Sequence, residues 1–363
     1  MIRAFDYRPE LARHRSEIDA AIARVLDSGH LILGPESAAF EAEFAEYVGA
    51  RHAIGVASGT DALILALRVC GIEPGDEVVT VANTSVPTAS AIRAVGAIPR
   101  FADVDPRTWL MTAETMSAAL TGRTRAVIPV HLYGNPVELS EIVPRAHDLG
   151  LRIISDCAHA HGARRRTQRI GPIADIGCFS FYPTKNLGAF GDAGMCVTHD
   201  DATAARLRTI KNYGMDAERV AQCDGINSRL DEIQAAILRV ELRALDATNA
   251  ARRDLAEQYR RGLAGSDYAV QEIDPGMEAV YHQFVIRCPD RDAVIDRFRR
   301  REIGYGIHYS PPLHHMPAFR PFHAGRPPLP VAEQLAREVL SLPLYPGLRP
   351  DEVDEVLSVL LAG

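Results

Sequence analysis

The 363-residue sequence has no run of about 18 apolar residues, so no segment reads as a membrane-spanning helix. Its first residues, Met1 to Asp6, lack the apolar core of a secretory signal, which makes a cytoplasmic location without membrane association the expectation. No basic excess is present either. The formal charge is -7, and a general nucleic-acid binder holds its phosphates with surplus cations. The six cysteines (Cys70, Cys157, Cys178, Cys196, Cys223 and Cys288) form no CxxC pair, which removes zinc ribbons and dithiol redox motifs. Several lie in apolar stretches, as in Met195-Cys196-Val197, and read as buried, reduced thiols. GxGxxG and GxxxxGK[ST] are both missing, so neither common nucleotide-phosphate loop is encoded. Repeats and low-complexity tracts are absent as well.

What is present is an alternation of short apolar runs with helical spacing. Residues 53–57, 77–82, 126–130, 152–155, 176–181 and 193–198 predict strands; 60–70, 87–95 and 138–149 predict helices between them. Such alternation gives a mainly parallel sheet covered by helices on both faces, and ligands of such sheets bind at the carboxyl ends of the strands. A charged helix is expected at 229–262, and the texture changes near residue 247. Beyond it come a strand at 281–287, a helix at 290–302, a proline-rich loop segment at 308–330, and helices near 330–340 and 350–361. The expectation is a large domain, 1–247, and a smaller C-terminal α/β domain, 248–363.

Three segments carry chemistry. In Phe-Ser-Phe-Tyr-Pro-Thr-Lys-Asn-Leu-Gly, residues 179–188, a strand ends and Lys185 follows in a turn. Lysines mostly sit on solvated faces, but one desolvated in a crevice loses its charge and attacks carbonyls as a Schiff-base nucleophile. A second apolar run ends in Asp156, where a carboxylate is costly unless a cation pairs with it. The protonated pyridine nitrogen of pyridoxal phosphate is such a cation; an ordinary helix N-cap is the alternative. Third, Ala57-Ser58-Gly59-Thr60-Asp61-Ala62 joins a strand to a helix, and the small residues there make either a phosphate seat or a plain Ser/Thr/Asp cap.

Together with 24–40, 75–84, 128–136 and 225–238, these segments resemble the DegT/DnrJ/EryC1/StrS sugar aminotransferases over almost the whole chain. The resemblance implies a fold-type I aminotransferase acting as a homodimer with shared active sites. It also implies that pyridoxal 5'-phosphate carries the amino group of L-glutamate to a keto carbon of a nucleotide-linked 6-deoxy-keto-sugar, by way of pyridoxamine phosphate. TDP is the expected nucleotide and C3 is favoured over C4. On this likeness Lys185 forms the internal aldimine and works as general acid and base, and Asp156 partners the ring nitrogen. Gly59, Thr60 and Asp61 offer amides to the phosphate, joined by the Ser180 hydroxyl. Asn227 reaches the phosphate of the other subunit's cofactor, and Arg229, His308 and Tyr309 face the substrate.

Two departures stand out. His159 replaces the usual glutamine near the ring's phenolic oxygen; it can still donate a hydrogen bond, with protonation as a new variable. Ser85 replaces the usual ring-stacking aromatic, leaving Val86 as the candidate for ring packing and the stacking residue unassigned. The run Arg164-Arg165-Arg166 with Arg169 reads as a solvated turn. His314 and His315, with no carboxylate or thiolate near them in the sequence, predict no metal site. Three competing readings are a cyclitol aminotransferase, a sugar dehydratase, and a cofactor-binding regulator without turnover. The dehydratase branch of this fold carries histidine where Lys185 stands.

Overall fold

The computed structural model describes residues 1–362. The apolar runs become seven strands: β1 (His52–Val56), β2 (Glu77–Val81), β3 (Ile98–Ala102), β4 (Thr124–Ile128), β5 (Arg152–Asp156), β6 (Ile176–Ser180) and β7 (Gly194–Thr198). They form one sheet in the order β1-β7-β6-β5-β4-β2-β3. β2 through β6 pair in parallel, whereas β7 runs antiparallel to both its neighbours, β1 and β6. The carboxyl ends of β1, β5 and β6 therefore share one edge of the sheet with the first residue of β7, Gly194.

Both faces of the sheet are apolar because both are covered. On one side helices Gly59–Val69, Val86–Ala94 and Asp201–Ile210 bury Leu65, Ile92 and Leu207 against β-strand residues such as Ile54, Ile128 and Ile154. On the other, Met116 of helix Ala113–Ala119 and Ile142 of helix Leu139–Asp148 pack with Val79, Val127 and Ile153. β3 is absent from the sequence reading because Pro99 and Arg100 interrupt its apolar pattern. An edge strand tolerates the proline. The arginine is paired with Glu77, a fully buried carboxylate that Arg123 and the Thr121 hydroxyl also reach, at 2.6 Å each.

Helix Pro35–Val48 lies over β1 and has no cap of its own. Its free N–H groups are taken from a distance by Glu232, which accepts from Gly34, Glu36 and Ser37 amides at 2.9, 2.8 and 2.9 Å and from the Ser37 hydroxyl. A carboxylate at a helix N-terminus satisfies orphan donors and meets the positive end of the dipole. A Cβ on Gly34 would fall 2.8 Å from the Glu232 carboxylate, so glycine is required there for steric reasons.

Glu232 opens the helix Glu232–Gly262, which runs unbroken through residues 247 and 248, where the sequence reading divides the chain. A separate apolar cluster gathers Tyr259 of that helix, Phe284, Phe298, Leu340 and Val356, and Ile2 from the N-terminus. It surrounds a three-stranded antiparallel sheet of Ala269–Val270, Phe284–Arg287 and Val339–Leu342. The helix expected at 330–340 ends at Glu338. The next four residues are that sheet's last strand, drawn out of helix by pairing with Phe284–Arg287. The 308–330 segment holds two single-turn helices, Leu313–His315 and Arg320–Phe322. Among the described residues no helix is long and apolar enough to cross a membrane.

Replacing Glu232 by alanine strands three helix-end amides, that of Ser37 buried and those of Gly34 and Glu36 part-buried. The expected loss is about 3 kcal/mol of unfolding free energy, with glutamine at the same position recovering part of it, both read from urea titrations.

Candidate active site

The shared edge of the sheet opens into a cavity of about 250 Å³ whose lining includes Gly59, Thr60, Asp156, His159, Ser180 and Lys185. Six of the residues singled out in the sequence, separated by up to 126 positions, thus meet in one place.

At the β1 end, Ser58 caps helix Gly59–Val69 by accepting the Asp61 amide at 3.1 Å. This corrects the expectation for Asp61. Its amide is engaged by the cap, and its carboxylate receives the Ser228 hydroxyl at 2.7 Å, so Asp61 braces the turn and is not part of the lining. Ser228 in turn accepts the Ala57 amide at 3.1 Å. The Gly59 and Thr60 amides belong to the first turn, where helical geometry supplies no internal acceptor. Backbones approach closely here: a Cβ on Gly59 would lie 2.5 Å from that of Ser180, and one on Gly194 would lie 2.3 Å from the Ser58 carbonyl.

Asp156 closes β5 and is buried. It accepts the Thr88 hydroxyl at 2.8 Å and the Ala158 amide at 3.1 Å. Burial pushes its pKa up, and these bonds, with the more distant Lys185 charge, pull it back. Both hydrogen-bond partners are neutral, so the carboxylate still calls for a cation. Lys185 follows β6 in a tight turn fixed by its amide bond to the Tyr182 carbonyl, 2.8 Å. Burial lowers its pKa to about 8, against the opposing effect of Asp156, and the free amine is accessible near neutral pH.

His159 receives the Tyr133 amide on Nδ1 at 3.2 Å, which leaves its proton on Nε2. Burial, reinforced by the Lys185 charge, holds the ring well below the ordinary imidazole pKa. It is a neutral donor, which removes protonation as a variable. Its ring packs on His282, with centroids 4.3 Å apart. His282 is oriented in turn by Asn186, whose amide nitrogen donates to Asn249 and to the Val280 carbonyl, both at 2.8 Å, leaving its oxygen toward His282 Nδ1 at 3.2 Å.

The remaining predicted residues lie outside this cavity. His308 lines a neighbouring one of about 260 Å³ with Thr184, His282 and Ser341, and its Nδ1 is 2.7 Å from the Ser341 hydroxyl. Tyr309 packs against the core around Trp109 and Tyr133; burial raises its phenol to about 12, with the Ser85 hydroxyl as its partner. Asn227 is exposed and pairs by backbone with Asn212. Arg229 reaches the Asn212 oxygen at 3.4 Å and lies over the Tyr213 ring at 5.8 Å. Val86 is 42% exposed and is not part of the lining; the aromatic rings that line the cavity are those of His159 and Tyr182. Two arginines of the run form close ion pairs, Arg165 with Glu138 and Arg169 with Asp246, each at 2.7 Å, and Arg166 is exposed. Thr88, Ser228 and His282 were missed by sequence reasoning. Each acts on a site residue at least 68 positions away, and no local pattern marks them.

A lysine whose charge burial disfavours, a buried carboxylate and the first turn of a helix thus meet at the strand ends of an α/β sheet. The chain belongs to the DegT/DnrJ/EryC1/StrS aminotransferase family, whose model matches residues 12–361. It is an aminotransferase, and the family is dependent on pyridoxal phosphate. The chain is 45% identical over 355 residues to the UDP-N-acetyl-3-dehydro-alpha-D-glucosamine 3-aminotransferase of Acidithiobacillus ferrooxidans, covering 98% of this chain and 96% of that one. It is 44% identical over 362 residues to the dTDP-3-amino-3,4,6-trideoxy-alpha-D-glucose transaminase of Micromonospora megalomicea subsp. nigra, covering 98% and 97%. Among solved structures, S. venezuelae DesV in complex with a ketimine intermediate superposes with a TM-score of 0.95 at 43% identity, covering 99% and 97%. The fold-type I architecture expected from the sequence is borne out, as is the assignment to an enzyme of this family.

Because Lys185 has a lowered pKa, its reactive free base accumulates as pH rises through about 8. Trapping of Lys185 by a small aldehyde and cyanoborohydride, followed by peptide mass spectrometry, is expected to speed up from pH about 7 and to level off above about 9. An ordinary lysine would still be gaining about tenfold per pH unit there.

Proposed function

We propose that this aminotransferase moves the amino group of L-glutamate onto C3 of a nucleotide-linked keto-sugar, with TDP-6-deoxy sugars as the favoured class. The observation that carries the reading is the convergence of Lys185, Asp156 and the Gly59–Thr60 helix end in one cavity. The carbon is supported by the relatives, whose names specify 3-amino or 3-keto sugars on both UDP and dTDP. The 6-deoxy dTDP relatives support the sugar class.

The site fits pyridoxal phosphate by its donor set: a helix end without side-chain bulk for the phosphate, a buried carboxylate with neutral partners for a protonated ring nitrogen, and a neutral imidazole N–H for the phenolic oxygen. When bound, the cofactor supplies the carbonyl that accepts the amino group and the ring that spreads the electron pair left on carbon. The chain's own residues do the rest. Gly59 and Thr60 amides and the Ser180 hydroxyl hold the phosphate. Asp156, steadied by Thr88 and Ala158, keeps the ring nitrogen charged. His159 donates from Nε2. Lys185 would hold the cofactor through Nζ until the amino donor displaces it; the freed amine would then carry the proton from the donor carbon to the cofactor carbon, and the opposite way in the keto-sugar half.

His308 would contact the sugar from the adjoining cavity, with Tyr309 next to it in the chain. Asn227, which is exposed, and the half-buried Arg229 would serve the cofactor and substrate of a second subunit in a homodimer. The outward apolar side chains of Leu31, Ile32, Leu33, Tyr182 and Phe190 support such a pairing.

Mass spectrometry of the products from 3-keto and 4-keto TDP-6-deoxyglucose, and from a UDP-linked 3-keto sugar, each with glutamate, tests the assignment. Amination of the 3-keto TDP sugar is expected, and amination of the 4-keto sugar alone would reverse it. Lys185→Ala abolishes turnover. Thr88→Val removes one hydrogen bond to a buried carboxylate and should lower kcat/KM by about tenfold or more, with weaker cofactor retention on dialysis.

A further inference from the structure

The adjacent histidines of the proline-rich segment lacked a carboxylate in the sequence; the fold supplies one. The turn Leu313–His315 packs beside the first turn of helix Pro330–Glu338, and Glu333 on that helix faces both imidazoles. Its Oε1 lies 3.2 Å from His314 Nε2 and 3.7 Å from His315 Nε2. One atom from each of the three residues falls within 4.8 Å of the others.

We propose that His314, His315 and Glu333 bind one divalent transition-metal ion of the zinc class. Two imidazoles and a carboxylate suit zinc, nickel or copper and not magnesium or calcium, which take oxygen ligands. Ligand bonds of about 2.0–2.1 Å around a tetrahedral ion bring neighbouring ligand atoms to roughly 3.3 Å. The His314–Glu333 separation already meets that distance. The His315–Glu333 separation has to close by about 0.4 Å, and the His315 side chain is half exposed and free to move. That exposure also leaves the fourth position to water.

The rest of the cluster is preorganised. His314 is buried, and its ring is wedged against His323, with centroids 4.8 Å apart, and against Phe101, at 6.4 Å. His323 directs Nε2 to the Pro327 carbonyl at 2.9 Å, and it is not among the three residues whose ligand atoms lie together. Glu333 is steadied by the Leu329 amide at 3.2 Å, and the helix start beneath it by Asp103, which accepts the Val331 and Ala332 amides at 3.0 and 2.8 Å. The ion joins two segments of one loop and lies apart from the Lys185 cavity, whose lining contains none of these residues. Its role is structural: it pins the turn that follows His308 and Tyr309 to the helix beyond.

The test uses untagged full-length protein, stripped with EDTA, desalted and titrated calorimetrically with zinc chloride. Saturable binding of one ion per chain is expected, weakened at least about tenfold in His315→Ala and in Glu333→Gln. Zinc should raise the thermal midpoint of the parent and leave that of His315→Ala unmoved, while magnesium shifts neither. Since Glu333 also caps its helix, His315→Ala decides the matter should Glu333→Gln fail to fold. Zinc held equally well by the parent and His315→Ala, or no saturable binding at all, overturns the assignment. Transaminase assays are not needed for either outcome.

Discussion

The site is organised around a carboxylate that the fold buries without neutralising. Asp156 sits at the end of β5 with a hydroxyl and an amide as its hydrogen-bond partners. A buried charge in that condition costs stability unless a cation joins it. Lys185 is the obvious candidate within the chain, yet burial also strips charge from the lysine. The two groups therefore sit in a state that neither resolves alone. A ligand with a protonated nitrogen at one end and a carbonyl at the other resolves both: the carboxylate receives its cation, and the amine gives up its charge to a covalent bond. On the proposed function, relief of both costs would add to the binding energy of such a ligand.

Much of this was legible in the sequence. Lys185, Asp156 and the Ser58–Thr60 turn each follow an apolar strand, and strand ends of a parallel sheet share an edge, so their meeting is a consequence of topology. The reading failed where a role depended on a partner distant in the chain. Asp61 looked like one more amide donor because the Ser58 cap and the Ser228 hydroxyl, 167 residues on, leave no trace in the local pattern. Thr88 looked like any helix-start threonine. β3 was hidden by Pro99 and Arg100, each excused by a tertiary circumstance: an edge position and the buried Glu77. The strand Val339–Leu342 was fused with the helix before it, since four apolar-rich residues continue a helical pattern until a neighbouring strand claims them.

His159 illustrates the reverse case, where structure simplified a question the sequence had opened. A histidine in place of glutamine brings two tautomers and a charge state. One backbone amide, that of Tyr133, and one neighbouring ring, that of His282, reduce these to a single form. The substitution then preserves the function of an amide N–H with a more rigid side chain.

The long-range cap on helix Pro35–Val48 has a bearing on how the protein comes into being. Glu232 closes that helix from nearly 200 residues downstream, and Ser228 and Lys211 brace the β1 turn and strand in the same manner. During synthesis the first strand and its anion seat emerge early but lack these braces until the ribosome has passed residue 232. The apolar faces of β1 and its helices must wait through more than half of translation before they are locked.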